Sequence, residues 1–260
     1  MRENTVMAKW KAGEPTYGAW LAIPSSFAAE VIARQGYDYV CIDMQHGAAD
    51  YQVALTMLQA ISQTDAMPFV RVPWNEPGII GRMLDAGAMG VVIPMVNSVE
   101  EAKQAVGACR YAPEGYRSFG PVRAAYYAGA DYFLHANRQV ACIPMIETRQ
   151  AVQRVDDILA VPGIDAVYVG PADLSITLGL PPRMDNDGEF DEALKTVVAA
   201  CGRHGVAPGI HASAPLAAKR TSGGFRMVTI TGDAGAMAAG AAADLRLARG
   251  GGDGAQPVYR

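Results

Sequence analysis

The sequence predicts a (β/α)8 TIM barrel that forms a single domain over residues 1–260. Three observations support this prediction. Short apolar runs rich in β-branched residues alternate with longer helical patterns along the chain. Several of these runs are apolar at every position, as expected for parallel strands that are covered on both faces. A length of 260 residues also suits one α/β barrel better than two separate domains.

The individual elements follow from local signals, and each predicted strand is followed by a segment with a helical pattern. Helix ends are marked by Ser98, which is followed by Glu101 as in a capping box, and by Gly205 as a glycine C-cap. An eightfold alternation of strand and helix favours a barrel over an open sheet. The predicted strands cover residues 17–23, 37–44, 68–72, 90–96, 140–147, 165–170, 207–211 and 225–230.

Two long connections interrupt this alternation, at residues 111–131 and 180–188. Loops of this length in a compact domain are usually functional or disordered. The glycine-rich tail at 250–260 is expected to be flexible or to contact another subunit.

Composition argues against several functional classes. The net charge of −4, without a basic cluster, gives no surface for nucleic acid or anionic lipid. No apolar run approaches the length that spans a membrane, and residues 1–12 lack the apolar core of a signal peptide, so we expect a cytoplasmic protein. The cysteines are widely spaced in apolar stretches and are expected to be buried and free: Cys41, Cys109, Cys142 and Cys201.

Polar side chains stand where the predicted strands end. His46 follows the second strand, Arg71 lies at the end of the third, Glu147 ends the fifth, and Asp173 follows the sixth. The carboxyl ends of the strands form the face that carries the chemistry in barrel enzymes. The sequence therefore predicts an active site at this face.

Glu147 and Asp173 form the predicted metal site. They end adjacent strands, which lie about 5 Å apart, and two carboxylates that close repel each other unless a proton or a cation lies between them. Oxygen ligands alone favour Mg²⁺ or Mn²⁺. The alternative is that both side chains merely cap the helices that follow them.

His46 is a candidate base, because Arg71 projects from the next strand and acids stand at Asp43 and Asp85. The alternative is a structural histidine. Arg71 lies in an otherwise apolar strand, where a charge is costly unless it faces an anion or a ligand. The turn at residues 170–173 leads into a helix, and its backbone N–H groups either bind an anion or form a plain tight turn.

Five segments resemble the HpcH/HpaI aldolase family, in order along residues 17–247. They are G-A-W-L at 18–21, I-D-M-Q-H-G at 42–47, V-R-V-P-W-N at 70–75, I-E-T-R at 146–149 and G-P-A-D-L-S at 170–175. The I-E-T and G-P-A-D-L-S segments are the specific ones. The resemblance implies a class II pyruvate aldolase, which cleaves a 4-hydroxy-2-oxo acid reversibly to pyruvate and an aldehyde through a pyruvate enolate.

The resemblance also implies a role for each candidate residue. Glu147 and Asp173 match the acids that hold a divalent cation, with Mg²⁺ or Mn²⁺ favoured and Co²⁺, Ni²⁺ or Zn²⁺ as alternatives. His46 matches the catalytic base, which acts through a metal-bound water, and Asp85 matches the acid that raises its basicity.

Substrate contacts are implied in the same way. Arg71 matches the group that stabilises the enolate oxygen, and the backbone at Ala172 and Asp173 matches the contact to the pyruvate carboxylate. Two positions depart from the family pattern: Gln45 stands where Glu often precedes the histidine, and Met145 replaces a Gln that touches substrate. These departures leave the acceptor aldehyde and the preferred metal open.

Members of the family are typically hexamers with an exchanged C-terminal helix, so a homo-oligomer of that kind is expected. Two other functions stay open at this point. A Claisen-type lyase, of the citrate or malyl-CoA kind, needs a basic anchor for the CoA phosphates, and the sequence has no clustered Lys and Arg for one. A non-catalytic barrel that only binds an oxo acid needs no base, which argues against it.

Overall fold

Eight parallel strands form one barrel in the computed structural model, which describes residues 1–250. Each predicted strand overlaps an observed one, so the eightfold prediction is confirmed. The predicted tail at 250–260 lies, apart from Gly250, outside the described residues. The strands are Thr16–Leu21 (β1), Tyr39–Asp43 (β2), Met67–Arg71 (β3), Gly90–Ile93 (β4), Ala141–Pro144 (β5), Ala166–Val169 (β6), Ala207–His211 (β7) and Met227–Gly232 (β8).

The strands are hydrogen-bonded in the order β5-β4-β3-β2-β1-β8-β7-β6. The two end strands meet as well, because the N–H of Ile146 donates to the carbonyl of Tyr168 at 2.9 Å. A second hydrogen bond, from the N–H of Asp165 to the carbonyl of Cys142 at 3.1 Å, joins the same two strands nearer their amino-terminal ends. All strands therefore end in one ring, and their carboxyl ends face one side of the molecule.

The helices run back along the outside of this ring, except for the first and the last. They are Thr5–Lys11 (α1), Ser26–Ala33 (α2), Tyr51–Ile61 (α3), Pro77–Asp85 (α4), Val99–Cys109 (α5), Ala124–Ala128 (α6), Tyr132–Gln139 (α7), Arg149–Gln153 (α8), Val155–Leu159 (α9), Pro171–Thr177 (α10), Glu189–His204 (α11), Ala217–Ser222 (α12) and Asp233–Ala248 (α13), with a 3₁₀ turn at Ala214–Leu216.

The capping signals lie where the sequence places them. The Ser98 hydroxyl accepts a hydrogen bond from the N–H of Glu101, and Gly205 ends α11 with a left-handed φ of 67°. The last predicted strand begins later than expected, since the N–H of Phe225 still donates to the carbonyl of Arg220 at the end of α12. Strand β5 is shorter than predicted, because Met145 pairs with Tyr168 only as an isolated bridge.

Helix α1 closes the amino-terminal end of the barrel. The Asn4 amide donates to the carbonyl of Met89, just before β4, and the Trp10 indole donates to the Thr16 hydroxyl at the start of β1. Helix α1 does not cover the opposite end of the barrel, where the strands finish. The four cysteines are buried and free, as predicted.

Helix α13 packs little against its own barrel. Asp233 is its one buried residue within the described part of the chain, whereas Met237 is 64% exposed and Leu245 is 51% exposed. None of the helices within residues 1–250 has both the length and the apolar character needed to cross a bilayer.

Candidate active site

A cavity of about 170 Å³ opens among the carboxyl ends of the strands. Larger grooves of about 610 and 1030 Å³ lie at the amino-terminal end of the barrel, but none of the predicted site residues lines them. We identify the smaller cavity as the candidate site because five predicted residues meet there. Its lining consists of Trp20, His46, Arg71, Met145, Tyr168, Gly170, Pro171, Ala172, Asp173, Met184 and His211.

Arg71 is held in place by Asp43 on the neighbouring strand. The two residues are register partners on β3 and β2, and the guanidinium donates through Nε (2.9 Å) and one terminal nitrogen (2.6 Å) to the two carboxylate oxygens. Burial opposes ionisation of Asp43, but its hydrogen bonds and ion pair with Arg71 outweigh burial and lower its pKa. A bidentate pair of this kind fixes both position and orientation.

One face of the planar Arg71 guanidinium lies over the Trp20 ring, with 5.0 Å between the guanidinium carbon and the ring centroid. Trp20 in turn stacks on Tyr168, with centroids 5.3 Å apart. Within residues 1–250 the remaining terminal nitrogen of Arg71 makes no hydrogen bond, so it is the donor left for a ligand. Sequence reasoning did not assign Trp20 or Tyr168, because both lie on strands that are apolar throughout.

Glu147 does not line the cavity; it is buried next to Gly170 of the lining, with 2% of its surface exposed. One carboxylate oxygen accepts a hydrogen bond of 2.8 Å from the N–H of Met95. Met95 has φ 58°, a left-handed conformation that costs a non-glycine residue about 1 kcal/mol or more. Gly170 leaves room for the other oxygen, since a Cβ there would lie 2.5 Å from it. The left-handed backbone of Met95 and the missing side chain at Gly170 therefore both accommodate the Glu147 carboxylate.

The chemistry of this donor set fits a divalent cation. The pKa of Glu147 is raised to about 7, mainly by burial and also by the negative charge of Asp173, while the Met95 N–H and the Arg71 charge oppose the rise. A cation beside Glu147 and Asp173 would offset both the cost of burying the Glu147 charge and the repulsion between the two carboxylates. Within residues 1–250 no group of three or more His, Cys, Asp and Glu side chains could hold a metal. Glu147 and Asp173 would therefore be the only ligands of these four residue types that a cation finds here within the described residues.

The capping alternative for the two acids fails. Helix α8 is capped by the Thr148 hydroxyl, which accepts from the N–H of Ala151, and α10 begins at Gly170 without a side-chain cap. Neither Glu147 nor Asp173 is thus used as a cap.

His46 lies in the loop after β2 and contributes its side chain to the cavity wall. Its backbone N–H donates to the same Asp43 oxygen (3.2 Å) that receives Nε of Arg71. Asp43 therefore positions the candidate base and the candidate oxyanion group together. The sequence placed Asp43 at the end of a predicted strand, where functional residues are expected, but it did not indicate a function for this residue.

Within residues 1–250 of one chain, no hydrogen bond or salt bridge joins Asp85 to His46. Asp85 is the last residue of α4, which starts just after the carboxyl end of β3 and runs back toward the other end of the barrel. There its carboxylate pairs with the buried guanidinium of Arg117 at 2.7 Å. The expected partnership of Asp85 with His46 is therefore absent from the single chain.

A chain of polar groups leads from the cavity into the barrel, and sequence reasoning missed it. Nδ1 of His211 lies 3.1 Å from the Tyr168 hydroxyl, which donates to the Thr229 hydroxyl at 2.6 Å. The Thr229 hydroxyl also lies 2.9 Å from that of Tyr39. His211 ends β7, so the rule that found Arg71 would have found it too. Burial, helped by the charge of Arg71, lowers the pKa of His211 to about 4.

The closed parallel barrel, with a cavity at its carboxyl ends that carries His46, Arg71 and Asp173, defines a (β/α)8-barrel enzyme. Residues 16–237 match the family described as HpcH/HpaI aldolase/citrate lyase, and the chain belongs to this family. The resemblance noted in the sequence is thereby confirmed.

Named relatives and a solved structure agree with this assignment. A hydroxypyruvate/pyruvate aldolase of Rhizorhabdus wittichii is 40% identical over 240 residues, covering 92% of this chain and 96% of its own. A 4-hydroxy-2-oxo-heptane-1,7-dioate aldolase of Escherichia coli is 38% identical over 221 residues, covering 84% of each chain. The crystal structure of an HpcH/HpaI aldolase/citrate lyase family protein from Burkholderia cenocepacia superimposes with a TM-score of 0.88 at 35% identity, covering 95% of this chain and 99% of that one.

Proposed function

We propose that this protein is a metal-dependent aldolase, which cleaves a 4-hydroxy-2-oxo acid reversibly into pyruvate and an aldehyde. One observation carries the proposal: Asp173 and an Arg71 donor held by Asp43 line one cavity, and the buried Glu147 lies close enough to both for their charges to shift its pKa. The aldolase names of relatives 38–40% identical to the chain support it.

Glu147 and Asp173 would hold the cation. Their hard oxygen donors favour Mg²⁺ or Mn²⁺, and Co²⁺, Ni²⁺ and Zn²⁺ are the alternatives. When bound, the cation supplies Lewis-acid polarisation of the substrate's 2-oxo group.

The chain's own groups bind and orient the substrate. Arg71 directs its free terminal nitrogen at the C2 oxygen, which becomes negatively charged when the enolate forms. The backbone N–H groups of Ala172 and Asp173 lie in the first turn of α10, where no acceptor within the helix is available, and they bind the carboxylate. Met145, which is 1% exposed, forms an apolar wall beside them.

His46 moves the proton. In the cleavage direction the C4 hydroxyl gives up its proton toward His46, directly or through one water, while the C3–C4 bond breaks. The C4 oxygen keeps its electrons as the aldehyde carbonyl, and the C3–C4 pair becomes the C2=C3 bond of pyruvate enolate. Return of a proton to C3 gives pyruvate, and addition runs the same steps backwards.

His46→Ala is expected to lower kcat by roughly 10²–10⁴-fold, the usual contribution of a positioned general base. Pyruvate affinity should change little, because Arg71 and the α10 backbone hold the ligand. Steady-state kinetics and pyruvate titration measure the two effects separately. Equal losses of rate and affinity would show that His46 acts in binding or structure.

The role of Asp85 requires a second copy of the chain. Its carboxylate is 29% exposed on the outer side of the barrel, so it can meet His46 only when another subunit brings it there. We therefore propose a homo-oligomer, with a hexamer as the family leads us to expect.

The exposed apolar residues of α13 support this oligomer and the exchange of that helix between subunits. We expect a Met237→Glu/Leu245→Glu variant to have a smaller mass than the wild type by light scattering, because two charges would enter a buried interface. Arg34→Ala, a surface change at the residue that follows α2, serves as the control. An unchanged mass for the double variant would exclude α13 from the interface.

Pyruvate release tests the function directly. We expect the protein to release pyruvate from a panel of 4-hydroxy-2-oxo acids, with loss of activity in EDTA and recovery on adding Mg²⁺ or Mn²⁺. Release that is insensitive to EDTA would contradict the proposal, and so would no release at all.

The cavity argues against a Claisen-type lyase, since its lining within residues 1–250 includes Arg71 but no lysine to anchor CoA phosphates.

A further inference from the structure

The wall of the cavity formed by β7 carries a polar group that the proposed reaction leaves unused. We propose that His211 selects the acceptor: its Nε2 accepts a hydrogen bond from a hydroxyl on the carbon next to the aldehyde, so the enzyme prefers 2-hydroxyaldehydes. This inference rests on the proposed function and names the class of aldehyde that it takes.

The hydrogen-bond chain behind His211 sets the tautomer of its ring. Tyr168 donates its single hydroxyl proton to Thr229 at 2.6 Å, so its oxygen is an acceptor toward Nδ1 of His211 at 3.1 Å. Nδ1 therefore carries the ring proton. Nε2 of the neutral ring is then a bare acceptor, and within residues 1–250 it has no hydrogen-bond partner.

The surroundings keep the ring neutral and fixed. His211 packs edge-on against Trp20, with centroids 5.3 Å apart, and burial lowers its pKa to about 4 with help from the Arg71 charge. A neutral imidazole cannot donate from Nε2 in this tautomer. The ligand group that it recognises must therefore be a donor, such as a hydroxyl, and not a carboxylate or carbonyl oxygen.

The pyruvate half of the substrate offers no such donor. Its carboxylate and C2 oxygen are both acceptors, and they are already assigned to the α10 backbone, Arg71 and the cation. Its C3 carbon forms the new bond. The partner of His211 must therefore belong to the aldehyde. Besides His211 and Arg71, the cavity lining contains the polar residues His46, Tyr168 and Asp173, and its apolar side chains include Trp20, Met145 and Met184.

A hydrogen-bond acceptor in this position discriminates between aldehydes mainly by excluding those that carry no hydrogen-bond donor. A ligand that fills the space without a donor leaves Nε2 buried and unpaired, which costs more than the hydrogen bond gains. We therefore expect at least about a tenfold preference for a hydroxylated aldehyde over its isosteric methyl analogue.

Glycolaldehyde and propanal are the matched pair, since a hydroxyl in the first replaces a methyl group in the second. The measurement is kcat/KM for each aldehyde in the metal-loaded enzyme, followed as pyruvate consumption. Wild type should favour glycolaldehyde, and His211→Leu should remove at least about nine-tenths of that preference. His211→Gln, which keeps an acceptor oxygen, should retain part of it, and Tyr168→Phe should lose part because the tautomer is no longer fixed.

Two readouts separate this inference from the proposed function. Metal-dependent exchange of pyruvate methyl protons with D₂O needs no aldehyde, so it should persist in His211→Leu and also show that the variant is folded. His204→Leu makes the same change on the exposed end of α11 and should leave the aldehyde preference intact. If His211→Leu does not fold, His211→Gln and Tyr168→Phe carry the test.

Specific outcomes would overturn the inference. One is a glycolaldehyde preference that is unchanged in the folded His211 variants while exchange continues. Another is a change in the preference for hydroxypyruvate over pyruvate instead, which would place His211 on the donor side. Absence of exchange in the wild type would contradict the proposed function itself, and the inference would fall with it.

Discussion

Glu147→Gln is expected to abolish binding of the divalent cation and to reduce turnover to background. Changes to residues that merely orient a metal ligand cost about 10–100-fold in affinity or activity, so the loss of a ligand should exceed that range. Isothermal titration with Mn²⁺ and pyruvate release measure the two losses. A variant that keeps both its metal and its activity would show that the site is wrongly assigned.

Stability distinguishes a ligand from a structural residue. Burial raises the pKa of Glu147 to about 7, so at pH 8 the ionised carboxylate destabilises the metal-free folded state relative to the unfolded one. In EDTA at pH 8 we therefore expect Glu147→Gln to unfold at a temperature at least as high as the wild type does. A lower unfolding temperature would indicate that Glu147 stabilises the fold.

Gly170→Ala provides a second route to the same result without touching the carboxylate. The added Cβ would lie 2.5 Å from a Glu147 oxygen and 3.0 Å from the Met145 methyl carbon, so Glu147 must move. We expect weaker metal binding in a folded protein. Gly81→Ala is the matched control, because a Cβ there meets nothing within 4 Å in the middle of α4.

The strand-end rule explains how much of the site was predictable. Arg71 and Glu147 each interrupt an apolar run, and such interruptions are visible in sequence. His211 and Asp43 follow the same rule and could have been assigned. Trp20 and Tyr168 could not, because a strand that is apolar throughout does not show which side chains face the barrel interior.

Other features depend on three-dimensional placement. The left-handed backbone at Met95 leaves no mark in the sequence, since that conformation is expected of glycine. Asp85 was paired with His46 by resemblance, but α4 carries it to the other end of the barrel. Asp43 contacts the His46 backbone instead, because it lies three residues before His46 at the end of β2.

Arg71→Ala should lower kcat by roughly 10²–10³-fold, the usual effect of removing one oxyanion donor. An enolate carries more charge on its C2 oxygen than pyruvate does, so Arg71 stabilises the transition state more than the bound substrate. Pyruvate affinity should therefore change much less than kcat. Arg71→Lys should recover only part of the rate, because lysine lacks the planar fork that Asp43 holds.

Removing Arg71 alone leaves Asp43 buried without its partner, which destabilises proteins by about 3–5 kcal/mol. The Arg71→Ala/Asp43→Asn variant removes both charges and separates catalysis from folding. Arg34→Ala, which breaks an exposed ion pair with Glu30 of α2, controls for loss of a positive charge.

Exchange of pyruvate methyl protons with D₂O, without any aldehyde, is the sharpest measurement, because it requires enolate formation and nothing later. Wild type should exchange in the presence of metal, and Arg71→Ala and Arg71→Ala/Asp43→Asn should both exchange far more slowly. Equal exchange in wild type and Arg71→Ala would remove Arg71 from the chemistry. If the wild type shows no metal-dependent exchange, this cavity does not form enolates, and the aldolase assignment fails with it.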